Sequence, residues 1–176
     1  MMGHYLMSEL VRLFVSIALF KKGPQDVPYS WFLFISLFVA TFIIEVLTHL
    51  IPDAKDEVLN MAVILRYLVI THAVFIAIVY SIFKLHGHSK RFLQSLTAMT
   101  GIDFLMSILF VPINFALVFA GANENAPIVI FGSLLYMFLL LWNLFIYMHI
   151  FRHGLSVSPL YAGMLSLAMF ALGISM

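Results

Sequence analysis

The sequence predicts an all-α, polytopic membrane protein, and three observations lead there. Of 176 residues, 64% are hydrophobic and 10% are charged, against roughly 45–50% and 25% in ordinary soluble domains. Mean hydropathy is +1.09. The apolar residues gather into five stretches of about 20, the length a helix needs to cross a hydrocarbon core of about 30 Å. A soluble fold of this size must leave much of its surface in water and cannot hide so much apolar area. The composition therefore excludes a soluble enzyme and a disordered chain. A formal net charge of +1 offers no basic patch for nucleic acid. The absence of Cys removes disulfides, iron–sulfur clusters, thiolate zinc sites and cysteine nucleophiles.

The whole chain, residues 1–176, reads as a single membrane domain. The five expected spans cover residues 30–51, 59–83, 93–119, 128–151 and 159–174. Each separator (KKGPQDVPYS, IPDAKDE, KLHGHSKR, GANENAP, RHGLSVS) carries Pro, Gly or clustered charge, the expected helix breakers. Residues 5–20 are a different object. Glu9, Arg12 and Ser16 fall at i, i+3 and i+7, giving one polar face on an apolar helix. Sixteen residues of helix reach only about 24 Å, so the segment is expected to lie in the membrane interface as an amphipathic helix. It does not read as a cleaved signal, because Glu9 and Arg12 interrupt it and no small-x-small site follows.

Orientation follows from the loop charges. Arg12, Lys21 and Lys22 precede the first span, and Lys84, Lys90 and Arg91 lie between the second and third. The intervening loop holds Lys55 beside three acids, the next holds no Lys or Arg, and Arg152 follows the fourth span. Cytoplasmic loops carry the positive excess, which places the N-terminus inside and the C-terminus outside.

Ionisable residues within spans are costly and are functional candidates by default. Glu45 lies about 9 Å from the outer end of the first span and Arg66 about 10 Å from the outer end of the second. Their matched depths predict a Glu45–Arg66 ion pair near the outer leaflet. In the third span, Thr100, Asp103, Ser107 and Asn114 share one helical face, a polar seam toward the bundle interior, and Pro112 is expected to kink that helix. His149 and His153, spaced i, i+4, are the candidates for a metal, but no third ligand lies at motif spacing and Arg152 stands between them, so no metal and no cofactor is expected. Tyr29, Trp31, Trp142, Tyr147 and Tyr161 are assigned to an interfacial aromatic belt. Ala162, Ser166 and Gly173 form a small-residue face on the fifth span. No phosphate loop, nucleophile elbow or paired catalytic carboxylates is present, so no enzymatic activity is expected.

Three stretches together resemble a known family: KKGPQDVPYS before the first span, SLTAMTGIDFLMSILFVPINF in the third, and LLLWNLFIYMHIFRHGLSVSP across the fourth and fifth. They are similar to the patterns G-P-Q-D-x-P-x-S, T-x-x-x-G-x-D and W-N-x-x-x-x-x-H-x-x-R-H-x-L of small, uncharacterised proteobacterial inner-membrane proteins, which in turn resemble the five-span Yip-type membrane proteins. The resemblance implies a five-helix bundle in a bacterial inner membrane with a cytoplasmic N-terminus. It marks Gly23, Pro24, Gln25, Asp26, Pro28 and Ser30, whose physical role is to stiffen the entry to the first span and cap its helix. The long polar N-terminal domain of the eukaryotic Yip proteins is missing here, so their GTPase partners do not carry over.

The functional expectation is a non-enzymatic scaffold or modulator subunit of an inner-membrane complex, partnered by the bilayer and by another membrane protein or itself. The alternative is a small oligomeric transporter or channel that uses the intramembrane charges.

Overall fold

The structure, a computed structural model, describes residues 2–49, 60–120 and 127–171. It is all-helical, with no strand among the described residues: α1 (Met2–Ala18), α2 (Trp31–His49), α3 (Met61–Leu85), α4 (Phe92–Phe119), α5 (Pro127–Leu155) and α6 (Pro159–Ala171). Four of these, α2 to α5, are long and apolar enough to cross a membrane. The described part of α6 reaches only about 20 Å. The expected outer ends of the first two spans, the loops carrying Lys55 and Glu124, and Gly173 lie outside the described residues.

The helix ends follow from local chemistry. Ser30 Oγ accepts from the Leu33 amide at 3.2 Å and starts α2. Asn60 Oδ1 does the same for Ala62 at 2.9 Å at the head of α3. Ser158 caps α6 through the Tyr161 amide at 3.3 Å, with Pro159 in the first turn, where its missing N–H costs nothing. Gly87, at a φ of 72°, turns the chain between α3 and α4. Inside the helices, hydroxyls bond back to carbonyls one turn earlier: Thr41 to Leu37, Thr71 to Tyr67, Ser81 to Ala77 and Thr97 to Leu93. A lipid environment demands this internal satisfaction. The helix α4 runs unbroken through Pro112.

Helix α4 is the axis of the bundle. Its first half is buried on every side, from Leu93 to Asp103 apart from Gln94, and α1, α2, α3 and α5 pack around it while α6 packs on α5. Long apolar side chains cover the outside, among them Phe32, Ile43, Val69, Phe131 and Phe145. A soluble monomer does not expose apolar surface on this scale. The helix α1 is docked rather than free: Leu13, Phe14 and Ile17 are buried in the common core, and Phe14 presses on the bare Cα of Gly101. Away from that core, Arg12 and Glu9 are exposed and 3.3 Å apart.

One end of the bundle gathers the end of α1, the starts of α2, α4 and α6, and the ends of α3 and α5. Arg91 donates to Ser156 Oγ at 2.7 Å, and His86 meets the Tyr161 hydroxyl at 3.2 Å. His149 Nε2 donates to the Lys22 carbonyl at 2.9 Å. Lys21, Lys22, Lys84, Lys90, Arg91 and Arg152 all belong to this end, which is the basic pole of the molecule.

Candidate functional site

Depth is best measured from the basic pole. At about 1.5 Å per residue, Glu45 on α2 and His72 on α3 lie about 20 Å in, Asn143 on α5 about 18 Å, Asp103 on α4 about 17 Å, and Tyr147 on α5 about 12 Å. Four helices thus bring five polar side chains into one zone. Tyr147 donates its hydroxyl to Asp103 Oδ2 at 2.6 Å, with both groups buried. Asn143, one turn before Tyr147, lies beside the same carboxylate. Glu45 is within electrostatic reach of both Asp103 and Tyr147.

Glu45 Oε2 faces His72 Nε2 at 3.4 Å. The other ring nitrogen, Nδ1, donates to the Leu68 carbonyl at 2.8 Å, which fixes the tautomer. Nε2 is then the free position, so a proton between these two groups belongs either to the carboxyl or to the imidazole. The rings of Phe38 and Phe42 stand edge-on to His72 at 5.2 and 5.6 Å and keep that nitrogen in an apolar setting. Buried polar atoms normally have partners. Here Glu45 Oε2, His72 Nε2, Asp103 Oδ1, Asn143 Oδ1 and Ser95 Oγ have no hydrogen-bond partner among the described residues.

The expected Glu45–Arg66 pair does not form. Glu45 faces His72 instead, and Arg66 is exposed. The buried face of α3 runs through Ile64, Leu68, His72, Phe75, Val79 and Phe83. Arg66 is two residues from both Ile64 and Leu68, about 200° around the helix, and therefore points outward. It also lies about 8 Å farther from the basic pole than Glu45.

The seam on α4 is only partly a unit. Thr100 and Asp103 are buried, whereas Ser107 and Asn114 are half-buried. Thr100 and Ser107 bond to carbonyls of their own helix at 3.0 and 2.8 Å. Asn114 lies about 16 Å beyond Asp103 along the axis, outside the cluster. Tyr147, expected in the aromatic belt, is a core residue instead. Tyr29, Trp31 and Tyr161 are exposed near the basic pole.

His149 and His153 do face each other, with ring centres 4.4 Å apart. His149 Nε2 is engaged with Lys22. No group of three metal-ligating side chains occurs among the described residues. The Gly23–Ser30 segment folds as a turn and a cap. Asp26 Oδ2 accepts from the Gly23 amide at 2.8 Å, and Gln94 Nε2 on α4 donates to the Val27 carbonyl at 2.8 Å. The face of α6 packs on α5, with Ala162 and Ser166 buried and Ser166 Oγ donating to the Leu144 carbonyl at 2.8 Å.

His72, Asn143 and Tyr147 are the site residues that sequence reasoning missed. Each has a helical signal: His72 falls in phase with the apolar stripe of α3, and Asn143 and Tyr147 stand one turn apart in phase with Ile146 and Ile150. No family model, curated protein or solved structure matches the chain.

Proposed function

We propose that this protein is a non-enzymatic integral membrane protein that relays protons across a bacterial inner membrane, a small transporter or channel working through its intramembrane acids. One observation carries the reading: Glu45 and Asp103 lie at similar depth on adjacent helices, and each keeps a buried carboxylate oxygen with no hydrogen-bond partner among the described residues. Side chains that merely join helices would satisfy one another. A His–carboxyl contact with a single free position, followed by a Tyr–carboxyl contact, is a sequence of groups that exchange protons. Toward the basic pole the buried hydroxyl of Thr100, one turn before Asp103, extends this polar line along α4.

In this reading α6, with its continuation, is a fifth span. The basic pole faces the cytoplasm under the positive-inside rule, and α1 lies at that face, so the N-terminus is inside and the C-terminus outside. The likeness to small proteobacterial inner-membrane proteins of the Yip-type five-span class supports the same arrangement.

The test is proton flux into liposomes carrying a pH-sensitive dye and driven by a potassium diffusion potential. The purified wild type should acidify or alkalinise the lumen according to the sign of the potential. Glu45→Gln and Asp103→Asn should each slow it about tenfold or more, and Asp103→Asn retains an oxygen for the Tyr147 hydroxyl. Wild-type flux no faster than empty liposomes would overturn the proposal.

A second reading, a scaffold or modulator within a larger complex, draws on Arg66. This cation stands on the outward face of α3 without an ion pair among the described residues. An acidic side chain on a neighbouring membrane helix would be its natural partner.

A further inference from the structure

A groove of about 550 Å³ runs down the outer face of α5 from the basic pole. Its walls are Phe138, Leu141, Trp142 and Phe145, and its upper rim is His149 and Arg152. From Phe138 to His149 the helix rises about 16 Å, which matches the depth of one leaflet, about half of a 30 Å core. The lower part is almost purely apolar, and the charge is confined to the top.

The chain that follows α1 shapes that top. Phe20 adopts a left-handed conformation, with φ at 59°, at the C-terminus of α1, where its N–H donates to the Ile17 carbonyl and the Lys21 N–H to the Ser16 carbonyl. This turn places the Phe20 ring 5.8 Å from Trp142 and 5.4 Å from His149, closing one side of the groove. The Trp142 indole donates to the Ala18 carbonyl at 3.2 Å, which ties α1 to this wall. Lys21 and Lys22 follow Phe20 and are exposed, and the Lys22 carbonyl is held by His149. Arg152 thus lines the mouth of an apolar groove one leaflet deep, and the exposed Lys21 and Lys22 follow directly on Phe20 in the segment that His149 holds to its rim. Asp26 in this region caps the Gly23 amide, and the three cations outnumber its single negative charge.

We infer that this groove binds an anionic phospholipid, with the headgroup phosphate at Arg152, Lys21 and Lys22 and an acyl chain along Trp142, Phe145 and Phe138. Charge complementarity selects the occupant. A zwitterionic lipid would fill the apolar part equally well but would leave the basic mouth uncompensated, and basic pockets between membrane helices at the cytoplasmic face suit anionic headgroups. The inference requires only that the protein sits in a bilayer, and it stands apart from proton relay.

Trp142 is a built-in reporter, since Trp31 is the only other tryptophan. The Trp31→Phe protein is reconstituted with acyl-brominated phosphatidylglycerol or with acyl-brominated phosphatidylcholine, and quenching of Trp142 is titrated. The expected result is a preference for phosphatidylglycerol of about fivefold or more. Loss of one basic side chain near a membrane surface weakens anionic-lipid binding by about fivefold. Arg152→Gln, and separately the Lys21→Gln/Lys22→Gln pair, should therefore bring the preference toward unity. All three residues are exposed, so these changes leave the core intact. Equal quenching by the two lipids in the parent protein, a preference untouched in both variants, or the same preference reported by Trp31 in a Trp142→Phe protein would each overturn the inference.

Discussion

Tyr147 and Asp103 meet 2.6 Å apart in a setting from which water is excluded, so each depends on the other for its hydrogen bond. Removing the phenol oxygen leaves the carboxyl with only Asn143 beside it. Interhelical hydrogen bonds in membrane proteins contribute about 0.6 kcal/mol on average and up to about 1.7. Tyr147→Phe removes a short, fully buried one, and should lower stability by about 1 kcal/mol in a denaturant or thermal titration in detergent. Phe75 packs on the Tyr147 ring at 6.2 Å, and Phe preserves that contact, so the loss isolates the hydroxyl. An unchanged midpoint would show that the bond contributes nothing to the fold. His72 illustrates a second residue-scale point. Its position in the stripe Ile64, Leu68, His72, Phe75 was legible as buried, but a histidine in an apolar stripe gives no hint of which acid faces it. That partner depends on how far α2 slides along α3, and sequence does not encode the slide in any local signal.

At the scale of elements, four of the hydrophobic stretches correspond to α2 to α5, helices long and apolar enough to cross a membrane, because a 20-residue apolar run and the breakers beside it act locally. What local signals miss is helix phase against a neighbour. The Glu45–Arg66 expectation equated depth with contact by counting from a loop, whereas phase turns Arg66 outward and the count from the basic pole aligns Glu45 with His72. The same limit applies to α1. Its docking depends on Gly101, where the missing Cβ lets the Phe14 ring sit against the α4 backbone. Filling that space should undock the element. Gly101→Ala should cost about 1–3 kcal/mol, the usual range for an overpacked core, and should raise protease cleavage within residues 2–20 while the α2–α5 bundle remains resistant. Wild-type protease resistance in the variant would mean that α1 is held by Leu13 and Ile17 instead.

For the whole molecule, the folded chain turns the scattered charge count of the sequence into a single pole. Lys21 and Lys22, Lys84, Lys90 and Arg91, and Arg152 come from three separate segments, and helix alternation brings all of them to one end. The bonds from Arg91 to Ser156 and from His149 to Lys22 lock these segments together, so the pole faces one side of the bilayer as a unit. In the proposed topology the positive-inside rule acts on the sum rather than on single loops, with this pole on the cytoplasmic side. Chain direction sets the rest. The helices α2, α4 and α6 leave the basic pole, and α3 and α5 return to it. If α6 and its continuation cross the membrane, the chain after α6 is on the far side. A periplasm-dependent reporter such as a phosphatase fused after Met176 should therefore be active, and the same reporter placed after Lys22 should be silent. A cytoplasm-dependent fluorescent reporter should give the reverse pattern. Activity of the phosphatase at both positions, or at neither, would place both fusion points on one side and leave α6 as a helix that enters the leaflet without crossing it. Neutralising the pole offers the complementary check. Replacing Lys84, Lys90 and Arg91 with Gln removes half of its Lys and Arg residues and should produce a mixed population by the same two reporters, since loop charge sets the orientation.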